Sequence, residues 1–193
     1  MKKPRPIVLD SAFQKKLKKL LPKEMEDSIS FLYEIATKDQ KTGVYNNNFF
    51  NTIFDMELEK TSRGDTNLCL MMIDIDSFRQ INEIHGHIKA DELLYKFAQT
   101  LQKKIRKSDI FARFGGDEFV LLLPKTTLLQ AKKLSKRLQI AIQENKVLQK
   151  YNVHFSGGLT KFKKGETKSS FFKRTNKALK KAKKEGKNQF KTE

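Results

Sequence analysis

Residues 113–124 have the sequence RFGGDEFVLLLP, in which two glycines and two acids separate two apolar runs. The runs, DIFARF and EFVLLL, have the length and composition of short β-strands. Because Gly115 and Gly116 tolerate positive φ angles, the stretch is interpreted as a β-hairpin. Asp117 is then predicted to lie just past the hairpin tip.

The segments around the hairpin predict an α+β fold. A buried strand, NLCLMMIDID, comes before the hairpin, and another strand, NVHFSGGLT, comes after it. Helical patterns are found at about 49–60, 91–107, 127–145 and 169–185. From the first acidic strand onward, this order is that of a ferredoxin-like or palm-type βαββαβ core, with a central, mainly antiparallel sheet and helices packed on one face.

An N-terminal helical extension is predicted at residues 1–38, before a single domain at residues 39–193. An apolar stripe of helical spacing runs over residues 11–36, and Pro22 interrupts it. Two short helices or one kinked helix fit this pattern. The extension either packs on its own domain or forms a dimerising, regulatory seam between two copies of the chain.

The composition predicts a soluble, cytoplasmic protein with an anionic partner. The chain has 193 residues, with 40 Lys and Arg against 22 Asp and Glu, for a formal charge of +18. This charge favours a nucleotide, a nucleic acid or a phospholipid surface, and does not by itself choose among them. Cys69 lies in an apolar run, as expected for a core residue of a reduced protein. Neither a signal peptide nor an apolar stretch long enough for stable membrane insertion is found.

Acidic residues at two strand ends predict a metal-assisted reaction on phosphates. Side chains alternate along a strand, so Asp74 and Asp76 are expected to point the same way, with the Ile75 carbonyl between them. A neighbouring hairpin tip would bring Asp117 and Glu118 close to Asp74. Clustered carboxylates suit Mg²⁺ bound together with substrate phosphates, which favours nucleotidyl transfer. The alternative interpretation is that these are solvated turn residues.

Five segments carry motifs that agree in order and spacing: KDQKTGVYNN, DIDSFRQINEIHGHIKADELL, GGDEF, VHFSGGLT and ALKKAKKEGKNQ. Together they resemble the GGDEF family of diguanylate cyclases, which condense two GTP molecules into cyclic di-GMP. The resemblance extends from about Asp39 to Phe190. It implies a homodimer with a Mg²⁺-dependent site (Mn²⁺ being an alternative ion) shared between two subunits, releasing two pyrophosphates and binding no nucleic acid.

The resemblance also implies roles for residues at the acidic site. Asp74, the Ile75 carbonyl and Asp117 correspond to the metal ligands. Asp117 is also the expected general base for the 3′-hydroxyl, and Glu118 supports this centre. Arg79 stands near the transferring phosphate, where the family usually has a lysine.

Substrate binding is assigned on the same basis. Asn82, His87 and Asp91 correspond to the guanine pocket, in which Asp91 accepts hydrogen bonds from N1 and N2. Gly115 and Gly116 let the backbone approach the phosphates. Lys183 and Lys187, four residues apart and predicted on one helical face, correspond to the triphosphate-binding lysines.

A second site is implied upstream of the hairpin. Arg106 and Asp109 match the Arg-x-x-Asp pattern of the family's inhibitory product-binding site, and Arg137 aligns with an arginine that completes it. The alternative interpretation of the motif is an ordinary charged helix end.

The sequence departs from the family pattern at several positions, among them Lys41 for Leu, Arg79 for Lys, Asn176 for Asp and Lys180 for Tyr. Because the catalytic acids are present, an active diguanylate cyclase is predicted. The alternative from another functional class is a catalytically weak receptor that binds GTP or cyclic di-GMP.

Overall fold

The computed structural model describes residues 22–64 and 66–193. The extension contains a helix, α1, at Lys23–Thr37, which Pro22 precedes as its N-cap. The part of the predicted apolar stripe at residues 11–21 lies outside the described residues. Within those residues, no helix has both the length and the apolar character needed to cross a membrane.

The domain contains a five-stranded sheet and five further helices among the described residues. The elements after α1 are α2 Asn47–Arg63, β1 Leu68–Ile75, α3 Phe78–Gln102, β2 Ile110–Gly115, β3 Glu118–Pro124, α4 Leu128–Gln143, α5 Lys146–Lys150, β4 Phe155–Lys161, α6 Lys168–Lys184 and β5 Phe190–Thr192. The strand order is β2-β3-β1-β4-β5, with only the β4/β5 pair parallel. The predicted α+β fold with a mainly antiparallel sheet is confirmed.

Helices cover both faces of the sheet, so the prediction that they pack on one face is wrong. All eight residues of β1 are buried, and alternate side chains enter two separate apolar cores. Met71 and Ile73 pack in the core that contains α3 and α4. Leu70 and Met72 pack in the core that contains α2 and α6. A continuous apolar run, rather than an alternating one, is the sequence pattern expected of a strand covered on both sides.

α3 differs from its predicted boundaries, and the short helix α5 and the strand β5 were not predicted. α3 begins at Phe78 instead of residue 91 and is interrupted at Gly86, whose φ of 77° is outside the helical range. The half before Gly86 was missed because it is short: only Phe78 and Ile81 are buried in it, whereas Ile84 is exposed, so its apolar stripe is a single turn long. β5 was also missed, because a three-residue strand carries almost no periodic pattern.

The thiol of Cys69 lies in the core, as predicted. It is fully buried on β1, and its Sγ lies 3.2 Å from the Thr126 carbonyl oxygen. Burial raises the pKa of the thiol to about 12. Cys69 is therefore a packing residue rather than a nucleophile.

Candidate active site

The acidic cluster forms where β1 meets the β2–β3 hairpin. Asp74 is paired across the sheet with Glu118. The Ile75 backbone N–H donates to the Asp117 carbonyl oxygen at 3.3 Å, which fixes the hairpin turn against the end of β1. The three predicted carboxylates of Asp74, Asp117 and Glu118 thus share one edge of the sheet.

Asp76 has a different role from Asp74. β1 ends at Ile75, so strand alternation no longer governs Asp76. Its carboxylate accepts hydrogen bonds from the Ser156 hydroxyl at 2.7 Å and from the Asn188 N–H at 3.0 Å. Asp76 therefore joins β4 and the turn after α6 to the end of β1.

Asp74 is costly to ionise where it lies. Burial raises the pKa of its carboxyl to about 6; the hydrogen bond from Lys183 opposes this shift, and the charges of Asp117 and Glu118 add to it. The Lys183 Nζ lies 2.6 Å from Asp74 Oδ2. A positive charge at this edge of the sheet is thus part of what keeps Asp74 ionised.

The oxygen donors of the acidic cluster fit a hard cation only if a bound substrate supplies further oxygen ligands. Among the described residues, no three His, Cys, Asp or Glu side chains are grouped closely enough to hold a metal ion. Two carboxylates and the Ile75 carbonyl are all oxygen donors, and Mg²⁺ commonly takes one or two protein carboxylates together with substrate phosphates. The residues present fit that mode of binding.

A cavity of about 490 Å³ adjoins the acidic cluster. Its size is in the range of small-molecule sites. The lining residues are Lys41, Phe78, Arg79, Asn82, Glu83, His87, Asp91, Arg113, Gly116 and Asp117. The structure therefore brings the predicted guanine-pocket residues and Asp117 to one cavity.

Polar contacts organise one end of this cavity, which we call the base pocket and define by Lys41, Asn82, His87 and Asp91. The His87 Nδ1 and the Asn82 Oδ1 are 3.1 Å apart, and the Asn82 Nδ2 donates to the Phe78 carbonyl oxygen. The Lys41 Nζ donates to both oxygens of Asp91, at 2.9 and 2.7 Å. Lys41 was not among the predicted site residues, although its presence in place of the family's leucine was a signal.

Arg79 lines the cavity, but its ion pair is with Glu83 and not with Asp74, Asp117 or Glu118. Its Nε donates to Glu83 at 2.9 Å, one helical turn away. The side chain is 91% exposed. Arg79 is thus free to change its partner when a ligand enters.

The two predicted lysines are not on one helical face, so that prediction is wrong. α6 ends at Lys184, and Lys187 lies in the turn beyond it with a φ of 60°. The Lys187 Nζ donates to the Ser77 hydroxyl at 2.9 Å, whereas Lys183 bonds to Asp74. Both ammonium groups nevertheless reach the end of β1, which we call the phosphate end of the site.

The glycine pair leaves open space in front of the hairpin. Gly116 has a φ of 51°, as expected for a glycine at this turn, and a Cβ built on either Gly115 or Gly116 meets no protein atom within 4 Å. Internal packing therefore does not require glycine at Gly115, and the space beside it is available to a ligand.

Arg113 connects the hairpin to the turn that follows α1. Its Nη1 donates to the Asp39 carboxylate at 3.2 Å, and its Nε donates to the Gly116 carbonyl oxygen at 2.8 Å. The side chains of Arg113 and Asp39 are mostly buried. The bonds therefore hold the hairpin turn in a defined position.

The second predicted site also comes together in space. Arg106, Asp109 and Arg137 line a separate cavity of about 210 Å³. The Asp109 Oδ2 accepts from the Arg106 N–H at 2.9 Å, while its buried Oδ1 has no hydrogen-bond partner. Burial raises the pKa of Asp109, and the two arginines act in the opposite direction. α3 ends at Gln102, so the motif lies in the following turn and not in the helix.

Comparisons with known proteins agree with this geometry. The profile of the diguanylate cyclase GGDEF domain matches residues 36–189. The chain is 36% identical over 154 residues to the diguanylate cyclase DgcP of Pseudomonas aeruginosa, covering 78% of this chain and 23% of DgcP. It is 29% identical over 170 residues to the response regulator PleD of Caulobacter vibrioides, covering 85% of this chain and 37% of PleD. The chain thus spans well under half the length of these relatives.

A solved structure supports the same fold. The diguanylate cyclase SiaD of Pseudomonas aeruginosa, solved in complex with its activator SiaC, superimposes with a TM-score of 0.79 at 28% identity. The match covers 95% of this chain and 70% of SiaD. This chain belongs to the GGDEF family of diguanylate cyclase domains.

Proposed function

We propose that this protein is a diguanylate cyclase, which condenses two GTP molecules into cyclic di-GMP and releases two pyrophosphates. The observation that carries the proposal is one cavity that is lined both by Asp117 of the acidic cluster and by the base pocket, with Asp74 close to Asp117 at the end of β1. This arrangement suits a guanine nucleotide whose phosphates lie against Asp74 and Asp117.

The chemistry follows from the acids and lysines. Asp117 accepts the proton of a 3′-hydroxyl as that oxygen attacks the α-phosphorus of the second GTP. A phosphodiester bond forms, and the bond from the α-phosphorus to the pyrophosphate oxygen breaks. Lys183 and Lys187 stabilise the triphosphate, and Arg79 moves from Glu83 to the transferring phosphate.

Asp74, the Ile75 carbonyl and Asp117 are the proposed ligands of Mg²⁺, or of Mn²⁺ in its place. Held by these residues, the ion would supply positive charge to the phosphate oxygens and to the attacking hydroxyl. Glu118 adds negative charge beside Asp74 and so strengthens the attraction for a cation.

The reaction calls for a homodimer. The base pocket defined by the described residues holds one guanine, whereas the product joins two guanosines, so two copies must face each other. Helix α1 is the proposed pairing element, because Thr37 is its only buried residue. Its exposed apolar side chains are Met25, Phe31, Leu32 and Ile35. This exposure favours the seam between two copies over packing on the chain's own domain.

The direct test is incubation of the purified protein with GTP and Mg²⁺, followed by chromatography of the products. We expect one cyclic di-GMP for every two pyrophosphates, and no product with ATP or in excess chelator. Binding of GTP without product under these conditions would contradict the proposal and would favour the receptor function.

We also propose product inhibition through the cavity of Arg106, Asp109 and Arg137. The unpartnered, buried Asp109 Oδ1 is an acceptor available to guanine N–H groups, and the arginines are suited to a guanine edge or a phosphate. The cavity is separate from the acidic cluster, so the inhibition is expected to be non-competitive with GTP.

Arg106→Ala should therefore retain turnover and accumulate more cyclic di-GMP than the parent protein. A rise of at least about tenfold in the inhibitory concentration of product is expected, because a charged hydrogen-bonding group is lost. Initial rates measured against added cyclic di-GMP give this value. Arg63→Ala, which removes an exposed arginine on α2, is the control; equal inhibition of the parent and Arg106→Ala proteins would refute the site.

A further inference from the structure

Lys41 is the one lysine among the residues that line the 490 Å³ cavity, and it lies at the base pocket. Its Nζ bonds both oxygens of Asp91, 50 positions away in sequence. Lys183 and Lys187 instead bond to Asp74 and Ser77 at the phosphate end. Lys41 is thus placed to contact the base of a bound nucleotide rather than its phosphates.

The backbone under Lys41 is fixed. The Asp39 Oδ1 accepts from both the N–H and the hydroxyl of Thr42, at 2.9 and 2.6 Å. The Thr42 carbonyl oxygen accepts from the Gln99 Nε2 at 2.9 Å, which ties the turn to α3, the helix that carries Asp91. The turn therefore presents Lys41 to Asp91 from a defined position.

The Lys41–Asp91 ion pair is poorly explained by stability alone. The side chains are 55% and 43% exposed, and ion pairs at such sites contribute little to folding. A pair of this kind rearranges at low cost when a ligand offers better partners. An ammonium also has three N–H donors, so Lys41 can keep one bond to Asp91 while it makes another.

We propose that Lys41 is a specificity-determining residue whose ammonium donates to O6 of guanine, beside Asp91, which accepts from N1 and N2. The inference rests on the proposed function, since it assigns a further contact in the same base pocket. A donor next to an acceptor complements the guanine edge, which presents O6 as an acceptor next to N1–H as a donor. Adenine presents an amino group and an unprotonated N1 at these positions, so both contacts become unfavourable.

The test measures binding of nucleoside diphosphates in the presence of Mg²⁺ by titration calorimetry, because diphosphates lack the pyrophosphate leaving group of the reaction. In 6-thio-GDP, sulfur, a weak acceptor, replaces O6. IDP keeps O6 but lacks the 2-amino group. The pair of analogues therefore separates the contact of Lys41 from that of Asp91.

The parent protein should prefer GDP over 6-thio-GDP by roughly tenfold, the value of one hydrogen bond to a charged group. Lys41→Met keeps the length of the side chain. This variant should bind GDP and 6-thio-GDP about equally and should leave the preference for GDP over IDP unchanged. Asp91→Asn should reduce the GDP-to-IDP preference instead. Lys164→Met removes an exposed lysine beyond the end of β4 that is remote from Asp74, and should match the parent protein.

In a preparation that makes cyclic di-GMP from GTP, two outcomes overturn the inference while leaving the proposed function intact. One is a parent protein that shows no preference for GDP over 6-thio-GDP. The other is a Lys41→Met protein that keeps the preference of the parent. Failure of the parent protein to bind GDP and to form cyclic di-GMP overturns both the inference and the proposed function.

Discussion

Asp117→Ala should reduce formation of cyclic di-GMP by roughly a thousandfold or more, since one substitution removes both the proposed general base and a proposed cation ligand. The fold should be unaffected. The bond that joins Asp117 to β1 uses its backbone carbonyl, which alanine retains. The product is measured by chromatography after incubation with GTP and Mg²⁺.

The matched control is Asp55→Ala, which removes an exposed acid on α2 that pairs with Lys168. This variant should keep the parent rate, and both variants should keep the circular dichroism spectrum of the parent. An Asp117→Ala protein with the rate of Asp55→Ala would show that Asp117 is not the base.

Gly158→Ala should lower the free energy of unfolding by about 3 kcal/mol or more. Gly158 lies in the middle of β4, directly against the backbone of α6. A Cβ at this position would lie 2.1 Å from the Thr175 carbonyl oxygen and 2.4 Å from the Leu179 nitrogen. These are helix backbone atoms, so α6 must move away from the sheet to relieve the overlap. Urea unfolding followed by circular dichroism measures the change.

Gly115→Ala is the control for this prediction, because its Cβ enters open space. Its free energy of unfolding should stay within about 0.5 kcal/mol of the parent value. Equal stabilities for the two alanine variants would mean that α6 is not packed against β4 as closely as described.

The elements of the fold that could be predicted are those whose own residues carry a recognisable sequence pattern. The hairpin was identified because two glycines separate two apolar runs, and β1 because its apolar run ends in acids. β5 is different in kind: its three residues are held by pairing with β4 and by the Phe190 ring, 5.6 Å from that of Phe155. Such a strand is stabilised by tertiary packing and has no local signal of its own.

In the candidate site, too, the contacts that follow from local sequence patterns were predicted, and those that depend on tertiary packing were not. Asp74 lies near the end of β1, and Asp117 lies in the turn just before β3. Both positions were readable from the ends of apolar runs, and the register of β1 with β3 brings the two residues together. The pairing of Lys41 with Asp91 was not predictable, because the turn and helix that carry them meet only in the folded chain. The position of Lys187 was wrong because the four-residue helical spacing was applied beyond the end of α6, which lies at Lys184, one residue from the predicted end.

The bonds of Arg113 give α1 a mechanical role. α1 ends at Thr37, two residues before Asp39, and Arg113 joins Asp39 to the Gly116 carbonyl next to Asp117. This path is a short connection between the helix and the hairpin turn. We therefore expect a change in the orientation of α1 to move Asp39 and, through Arg113, the turn that carries Asp117. If two α1 helices wind around each other, their winding angle would therefore set how squarely the two hairpin turns face one another.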